Sequence, residues 1–508
     1  MKKSNSLKVS QIKYGAILSY ILIALNALYG ILMAPYILSQ IGESNYGVYK
    51  TITSFSSTIM VLDLGLGATV MRYTAKFRAE QKKDEISNFA AMGLIEAGVM
   101  AVIVMCVCSG IYNFLPTFYS GVFTPDEMIL SQRLFLILSV NMILVIIENV
   151  LHGVIAGTDH FVFANGTKLT LLVLRVFVSV ALLQKWKSAI VLVMITLSIS
   201  VINMILQMCF IRGKLGIHIR LKRWDSQLFK ESMVYTAAMF VQTLVVQANG
   251  NVDNIVISRI IGPVAVAVYS IGIQLFNMYQ SLSMAFSNLM LPPVTKQISS
   301  GATDEELQQT VTKIGRMQFV VLGAALAGFI CVGKDFIRLW LGEGFEDAYY
   351  LSLILMTPAI FTLIQNVRLS ILRARNMMAF RTWSLVVGLV FNIIFTVIGT
   401  WLWGYYAAAI GTALSIILCY VVAMNIYFHK RIGFKVFKFY FDVFRRLLIC
   451  VIVPALLIWC LNHFADSTWL WLLIRVAVFV VVYAAMLWCY GFTDKEKRYI
   501  WKKNLVNN

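Results

Sequence analysis

Charged residues are scarce in this chain, and their scarcity excludes an ordinary soluble protein. Only 13% of the 508 residues are charged, whereas 59% are hydrophobic. A soluble protein of this length needs far more charge to cover its surface. The apolar residues form blocks of about 20, the length that an α-helix needs to cross a bilayer core of about 30 Å. The composition therefore predicts a polytopic membrane protein.

Acidic residues are scarcer than basic ones. The chain has 24 Asp and Glu residues against 43 Lys and Arg residues, which gives a net charge of +19. In a soluble protein this excess would suggest a nucleic-acid partner. Here the positive charge is divided among short segments between the apolar blocks, so we expect no nucleic-acid partner.

Motifs for a metal, a cofactor or a nucleotide are absent from the sequence. The eight cysteines lie within or at the edges of apolar blocks, none forms a CxxC pair, and no histidine is spaced to complete a metal site. Residues 328–335, GFICVGKD, match the start of a phosphate-binding loop but place Asp335 where Ser or Thr is needed. We therefore expect no metal, no cofactor and no ATP hydrolysis, so that a membrane potential, an ion gradient or consumption of the product must drive any transport.

Fourteen apolar segments are long enough to be candidate spans. Because a backbone in lipid must satisfy its own hydrogen bonds, these segments are predicted to be helices. The first is too long for a signal peptide and lacks a cleavage site, so we interpret it as a retained span. The predicted limits are 14–41, 46–70, 88–112, 131–153, 168–184, 188–211, 232–259, 264–292, 314–333, 349–370, 382–402, 405–428, 447–463 and 468–491.

The distribution of Lys and Arg predicts the orientation of these spans. With fourteen spans, 34 of the 43 basic residues fall in the segments on one side, and nine fall on the other side or within spans. Basic residues concentrate in cytoplasmic loops. Both termini are therefore predicted to be cytoplasmic. No segment between spans exceeds about 20 residues, which excludes a separate catalytic domain within this chain.

One short pattern occurs twice, 220 residues apart. Ile41-Gly42 is followed after five residues by Val48-Tyr49, and Ile261-Gly262 is followed after five residues by Val268-Tyr269. Each copy falls between the first two spans of a six-span set, which predicts two parallel six-helix lobes that arose by duplication. The predicted divisions are an N-terminal lobe (1–211), a basic cytoplasmic linker (212–231), a C-terminal lobe (232–428), and two extra helices with a tail (429–508).

Three stretches carry a resemblance to a known family. They are QIGESNYGVYK (40–50), DLGLGATVMRY (63–73) and DNIVISRIIGPVAVAVYSIG (253–272). They resemble the polysaccharide biosynthesis flippases, which share one transporter superfamily with lipid II flippases and multidrug exporters. The resemblance covers the whole chain. It implies an all-α membrane protein of about fourteen helices, with two six-helix lobes in a V shape like that of the multidrug exporters, plus two extra C-terminal helices.

The resemblance also implies a function and a location. Such a protein moves undecaprenyl-pyrophosphate-linked oligosaccharides from the inner to the outer leaflet of the bacterial plasma membrane by alternating access, for synthesis of a surface polysaccharide. It is not an enzyme. Its expected partners are the lipid-linked substrate, membrane lipids, polysaccharide polymerase and glycosyltransferases.

Ionisable residues inside the spans are costly and therefore mark candidate sites. Arginine suits phosphate because its planar fork presents several donors, so the candidate substrate-binding set is Arg72, Arg175, Asp253, Arg368, Arg373 and Arg375. The candidate ion-coupling residues are Asp63, Glu96 and Glu148. Arg175 is predicted to lie roughly 10–12 Å from the cytoplasmic end of its span. The alternatives are ion pairs between helices for buried groups, snorkelling for groups near the ends, and, for Asp63, a bend or close helix approach at Gly65 and Gly67.

Asn and Gln residues are dense between Gln242 and Asn288, in spans seven and eight. They predict either a polar wall that faces sugars or hydrogen bonds between helices.

Other functions stay open at this point. An ion-coupled small-molecule or multidrug exporter of the same fold is one, although no acidic residue lies between Tyr14 and Gly42, where some proton-coupled exporters have one. A lipid II flippase is another. A membrane polymerase or ligase would need a large outer loop with catalytic residues, and segment 113–130 holds only Asp126 and Glu127.

Overall fold

The computed structural model consists almost entirely of helices. The described residues contain no β-strand. The described backbone covers residues 2–63, 65–375, 377–462, 468–494 and 496–497. The tail beyond residue 497, predicted to be cytoplasmic, lies outside the described residues, as do the side chains of Gln242 and Asn288 at the ends of the predicted polar wall.

The helices form two compact units. The first comprises residues 1–267 and 396–405, and the second comprises residues 268–395 and 406–508. Two long helices each contribute to both units. These units are defined by packing, whereas the predicted lobe boundaries are defined by the repeated sequence pattern. The lobe boundaries therefore stay a prediction.

Eight helices lie wholly in the first unit. They are α1 (Lys2–Ile41), α2 (Glu43–Ile59), α3 (Leu66–Ala79), α4 (Lys83–Phe118), α5 (Pro125–Gly157), α6 (Phe161–Trp186), α7 (Ala189–Gly213) and α8 (Ser226–Ile260). One 3₁₀ turn, Met60–Asp63, joins α2 to α3. Helix α5 packs against α2, α3, α4 and α7, and α1 packs against α6.

Helix α5 begins at a capping box and later crosses α3 at close range. The Thr124 hydroxyl accepts a hydrogen bond from the Glu127 backbone N–H, and the Glu127 carboxylate accepts one from the Thr124 backbone N–H, which satisfies two donors that the helix start leaves free. A Cβ on Gly153 would lie 2.6 Å from the Gly67 carbonyl oxygen, and one on Gly157 would lie 2.7 Å from the Met71 carbonyl oxygen. Small residues four apart allow two helix backbones to approach this closely.

The repeated pattern marks two helix breaks, as the sequence predicts. Gly42 separates α1 from α2 with φ of 79°, and Gly262 separates α8 from α9 (Pro263–Ser299) with φ of 118°. Such angles suit glycine because other residues clash there. The first copy also contacts the start of the second, since a Cβ on Gly47 would lie only 1.8 Å from the Pro263 carbonyl oxygen.

The predicted basic linker is attached to α4. The backbone N–H groups of Lys222 and Arg223 donate to the Asn88 side-chain oxygen at 2.8 and 3.0 Å. Arg223 also pairs with Glu85 at 2.8 Å. The segment between α7 and α8 therefore follows one surface of the first unit.

The remaining helices lie wholly or mainly in the second unit. After α9 they are α10 (Asp304–Leu341), α11 (Asp347–Leu363), α12 (Arg368–Ala374), α13 (Ala379–Trp403), α14 (Tyr406–Ser415), α15 (Met424–Ile432), α16 (Val436–Leu461) and α17 (Trp469–Met486). The π-helical segments Ile416–Ala423 and Leu487–Gly491 follow α14 and α17. Helix α10 packs against α11, α16 and α17.

One arginine joins three parts of the second unit. Arg316 on α10 donates to both carboxylate oxygens of Glu496, at 3.0 and 3.3 Å. The same guanidinium donates to the Asp442 carbonyl on α16 at 2.8 Å and to the Gly491 carbonyl at 3.0 Å. Burial raises the pKa of the Glu496 carboxyl, but the hydrogen bonds from Arg316 and Thr493 outweigh burial and hold that pKa below its usual range.

Eleven helices among the described residues are long and apolar enough to cross a membrane. Predicted spans seven, eight and ten overlap α8, α9 and α11, which are not among the eleven. The count of fourteen stays a prediction.

We expect Gly47→Ala to destabilise the protein, because the added Cβ would meet the Pro263 carbonyl at 1.8 Å. Such overpacking costs about 1–3 kcal/mol. Gly98→Ala is the matched control, since nothing lies within 4 Å of its Cβ position and it also lies in a helix. Thermal unfolding of the detergent-purified variants measures the difference. Equal melting temperatures for both variants would contradict the close approach.

We expect Glu496→Gln to lower stability by about 1–2 kcal/mol at neutral pH, because the charged partner of Arg316 is lost. A carboxyl with a depressed folded-state pKa stabilises above its unfolded-state pKa, and this contribution disappears as pH falls through the folded-state value. The melting-temperature gap between wild type and variant should therefore narrow on acidification. Glu305→Gln, an exposed change nearby, is the control. A gap independent of pH would refute the ion pair.

Candidate functional site

Arg175 lies on α6 among neutral partners. Its Nη2 donates to the Thr196 hydroxyl on α7 at 3.0 Å, and its guanidinium carbon lies 5.6 Å from the centre of the Tyr29 ring on α1. Because α6 begins at Phe161 rather than at the predicted residue 168, Arg175 lies about 21 Å from that helix end and not 10–12 Å. The early start has a local cause, since the Asn165 amide donates to the Gly15 carbonyl of α1 at 3.0 Å.

Lys50 on α2 belongs to the same group of side chains. Its Nζ lies 5.2 Å from the centre of the Tyr46 ring, and the Tyr46 and Tyr49 rings are 6.4 Å apart. Tyr49 lies near Lys50, Arg175 and Tyr29. These five residues form what we name the cationic tyrosine cluster: Tyr29, Tyr46, Tyr49, Lys50 and Arg175.

The cationic tyrosine cluster has two positive charges and no recorded negative one. Within the described part of the chain, neither Lys50 nor Arg175 forms a salt bridge with a carboxylate. Both side chains are half-buried. A cation in a low-dielectric setting is costly unless an anion or several dipoles compensate it. An anion beside these two cations would offset part of that cost.

Sequence reasoning singled out Arg175 but missed Lys50 as a site residue. The available signal was its place at the end of NYGVYK, where two tyrosines precede it by one and four residues. A spacing of four brings Tyr46 and Lys50 onto one helix face.

Two of the three predicted ion-coupling residues, Asp63 and Glu148, accept hydrogen bonds from different side chains. Asp63 lies in the 3₁₀ turn after α2, where its Oδ2 accepts from the Asn149 amide at 3.1 Å. Glu148, which precedes Asn149 on α5, accepts a hydrogen bond from the Asn203 amide on α7. Glu96 on α4 is 8% exposed. Helix α5 thus brings Asp63 near Glu148, whereas no contact recorded among the described side chains joins Glu96 to either.

The backbone around Asp63 matches the alternative to ion coupling, namely a bend or a close helix approach at Gly65 and Gly67. Gly65 has φ of 74° and is the N-cap residue of α3. A Cβ on Gly67 would lie 2.8 Å from the Asn149 carbonyl oxygen. A bend and a close helix approach are thus both present, and a role in ion coupling stays a prediction.

Asp253 on α8 is buried, with 2% of its surface exposed. Its Oδ1 accepts from the Thr396 hydroxyl at 3.0 Å, within the first unit. The adjacent Asn254 donates to the Ser54 hydroxyl on α2 at 2.9 Å. In these two contacts, polar residues of predicted span seven form hydrogen bonds to neighbouring helices. They match the second of the two predictions, hydrogen bonds between helices, and not the polar wall that faces sugars.

The predicted arginines near residue 370 have different surroundings. Arg368 is fully buried, donates to the Asn425 side-chain oxygen at 2.8 Å, and lies 4.7–5.0 Å from the ring centres of Phe428, Phe434 and Phe439. Arg375 pairs with Asp304. Arg373 is exposed, as is Arg72 on α3 of the first unit. No contact recorded among the described residues joins these arginines into one site.

Three further observations bear on ligands. Residues 328–335 lie inside α10, a continuous helix, which confirms that GFICVGKD is not a phosphate-binding loop. Among the described residues, no group of three or more His, Cys, Asp or Glu side chains could hold a metal ion. An apolar groove of about 400 Å³ lies between α10, α16 and α17, and Gly328, Phe336, Ile458 and Phe479 are among its lining residues.

Known proteins share this fold. The chain resembles a structure titled lipid II flippase MurJ, inward closed conformation, with 13% identity, a TM-score of 0.72, and coverage of 97% of this chain and 99% of that one. It also resembles an inward-facing multidrug resistance MATE family transporter of the MOP superfamily, with 14% identity, a TM-score of 0.64, and coverage of 83% and 99%. These identities show the fold alone. No curated protein sequence matches the chain.

The family model described as polysaccharide biosynthesis protein matches residues 12–299, more than half of the chain. With the MurJ-like and MATE-like fold, this match confirms the resemblance found in the sequence. The chain is a member of the polysaccharide biosynthesis protein family.

Proposed function

We propose that this protein is a flippase for undecaprenyl-pyrophosphate-linked oligosaccharide. It would move this substrate from the inner to the outer leaflet of the bacterial plasma membrane by alternating access, with both termini in the cytoplasm. The observation that carries the proposal is the cationic tyrosine cluster, where Lys50 and Arg175 have no salt-bridge partner among the described carboxylates. Family membership supports the polysaccharide pathway.

The cluster matches the chemistry of a sugar pyrophosphate. Lysine supplies a compact charge and arginine supplies a planar fork of donors, and both bind phosphate oxygens. The rings of Tyr29 and Tyr49 offer apolar faces and hydroxyls to the adjoining sugar. The pyrophosphate would neutralise two cations that are otherwise costly in a membrane protein. We therefore assign Arg175 and Lys50 the central role in binding.

The other predicted residues take different roles in this proposal. Arg72 and Arg373 are exposed and would meet the substrate early, outside the cluster. Arg368 and Arg375 have partners within the second unit, so we propose that they stabilise the fold. The apolar groove between α10, α16 and α17 would hold part of the prenyl chain.

A membrane potential is a sufficient energy source for this direction of transport. Moving one elementary charge across 100 mV is worth about 2.3 kcal/mol. An anionic head group that leaves a negative cytoplasm gains this energy for each charge it carries. Asp63 is our leading candidate for any additional ion coupling, because it lies at the break between α2 and α3.

Depletion of this protein should cause complete oligosaccharide units on undecaprenyl pyrophosphate to accumulate. Mass spectrometry of extracted lipids identifies the units, and protection from added glycosidase places them in the inner leaflet. Accumulation of lipid II alone would instead favour a lipid II flippase. No lipid accumulation, with changed tolerance of cationic drugs, would favour an exporter, and incomplete glycan units would favour a membrane enzyme.

Arg175→Ala and Lys50→Ala should each abolish complementation of the depleted strain, because the pyrophosphate loses one of two cations. Arg175→Lys should restore it in part, since charge remains but the fork of donors is lost. Lys185→Ala is the matched control, because it removes an exposed charge from the same helix. Protein abundance and melting temperature must be unchanged. Full complementation by Arg175→Ala in a folded protein would remove it from the site.

Asp253→Ala should abolish transport and leave the protein inserted and folded. Asp253→Asn keeps an acceptor for the Thr396 hydroxyl but removes the charge, so we expect it to fail as well. Thr396→Val removes only the hydroxyl and should retain most activity. The same lipid analysis measures all three variants. Full activity of Asp253→Asn would show that Asp253 serves only as a hydrogen-bond acceptor.

A further inference from the structure

A polar pocket lies in the second unit where α10, α16 and the segment after α17 meet. Its volume is about 430 Å³, and Gln308, Thr312, Lys313, Lys435, Lys438 and Asp442 are among its lining residues. The Arg316–Glu496 pair also lines it. Lysine, arginine and neutral hydrogen-bonding side chains in such a pocket offer a phosphate both charge and donors.

The wall that holds Lys435 and Lys438 is fixed to α10. The Gln308 amide nitrogen donates to the Lys435 carbonyl at 3.2 Å, and the Lys435 backbone N–H donates to the Gln308 amide oxygen at 3.1 Å. Arg316 holds α16 at the Asp442 carbonyl. The pocket is therefore formed by hydrogen bonds that do not use the lysine ammonium groups.

Lys435 and Lys438 are exposed and available for a ligand. In the described part of the chain, neither ammonium group pairs with a carboxylate. The pocket also contains carboxylates, Glu305 and Asp442 among them. A ligand that fits these groups carries a phosphate for the lysines and hydroxyl donors for the carboxylates.

An apolar stripe runs along α16 beside the pocket. At 100° per residue, Phe437 and Phe441 lie on a helix face next to the face of Lys438 and Asp442. Phe437 is 92% exposed and Phe441 is 59% exposed. The Arg445 guanidinium carbon lies 5.4 Å from the centre of the Phe441 ring. Exposed leucine and isoleucine residues continue the stripe farther along the helix, at Leu448 and Ile452.

We infer that this pocket binds the phosphate of an anionic phospholipid with a hydroxylated head group, such as phosphatidylglycerol. Its acyl chains would follow the α16 stripe from Phe437 toward Ile452. Basic pockets between transmembrane helices on the cytoplasmic side bind anionic lipids in this way. A soluble phosphate would leave the adjacent apolar stripe unused, which favours the lipid as the source of the phosphate. This site is independent of the cationic tyrosine cluster, which lies in the first unit.

Binding of phosphatidylglycerol to the purified full-length protein tests the inference. Native mass spectrometry counts bound lipids, and phosphatidylcholine is the reference lipid because its phosphate is balanced by a choline cation without hydroxyls. We expect wild type to retain phosphatidylglycerol at least about tenfold more strongly than phosphatidylcholine. The change Lys435→Gln with Lys438→Gln should abolish this preference.

The matched control is Lys430→Gln with Arg431→Gln, which removes two exposed charges from the same basic stretch but outside the pocket lining. It should keep the preference for phosphatidylglycerol. Equal loss in both double variants would overturn the pocket in favour of diffuse surface charge.

A second arm separates the lipid from a soluble phosphate. Phe437→Gln should weaken phosphatidylglycerol binding several-fold, because the acyl chains lose an apolar contact. Millimolar glycerol phosphate should not displace the lipid from wild type. Displacement by glycerol phosphate, together with no effect of Phe437→Gln, would contradict a lipid ligand.

Discussion

The cost of placing a charged side chain away from water determines which residues of this chain can act on a ligand. Arg368 is fully buried and contacts an amide and three aromatic rings, while its Nε and Nη1 have no hydrogen-bond partner among the described residues. Arg475 on α17 meets that cost with Asp335 at 2.7 Å and the Asn462 amide oxygen at 2.7 Å. Arg175 and Lys50 differ, since their recorded neighbours are a threonine, tyrosines and each other. What sets Lys50 and Arg175 apart is that two cations lie near each other, so that one external anion would offset the cost of both.

Much of the fold follows from the sequence because bilayer thickness and the glycine breaks constrain it. The repeat at Gly42 and Gly262 predicted two helix breaks, and both glycines have positive φ. The 3₁₀ turn before Gly65 was harder to predict, because an apolar helix and an apolar bent helix have the same composition. Helix ends were also inaccurate. Helix α6 extends through Asn165 and Lys168, since bonds from Asn165 to α1 stabilise polar residues that hydropathy assigns to a loop.

The site was less predictable than the fold, because pairing between distant residues is invisible in one sequence. Arg175 and Arg368 have the same residue type and similar apolar surroundings in the sequence. Only the packing reveals three aromatic rings around Arg368 and a second cation near Arg175. Lys50 was harder to identify because two of its neighbours, Tyr29 on α1 and Arg175 on α6, lie 21 and 125 residues away in sequence. Family membership supplies the pathway, and the cluster supplies the chemistry that we propose for it.

The central claim is that the cationic tyrosine cluster binds a pyrophosphate. Calorimetric titration of the purified protein with a soluble short-chain prenyl pyrophosphate tests this claim without transport, and the corresponding monophosphate is the reference ligand. We predict that the pyrophosphate binds at least about tenfold more tightly than the monophosphate, a difference of about 1.4 kcal/mol, and that Lys50→Gln with Arg175→Gln removes this difference. Equal binding of the pyrophosphate by wild type and by the folded double variant would contradict the account.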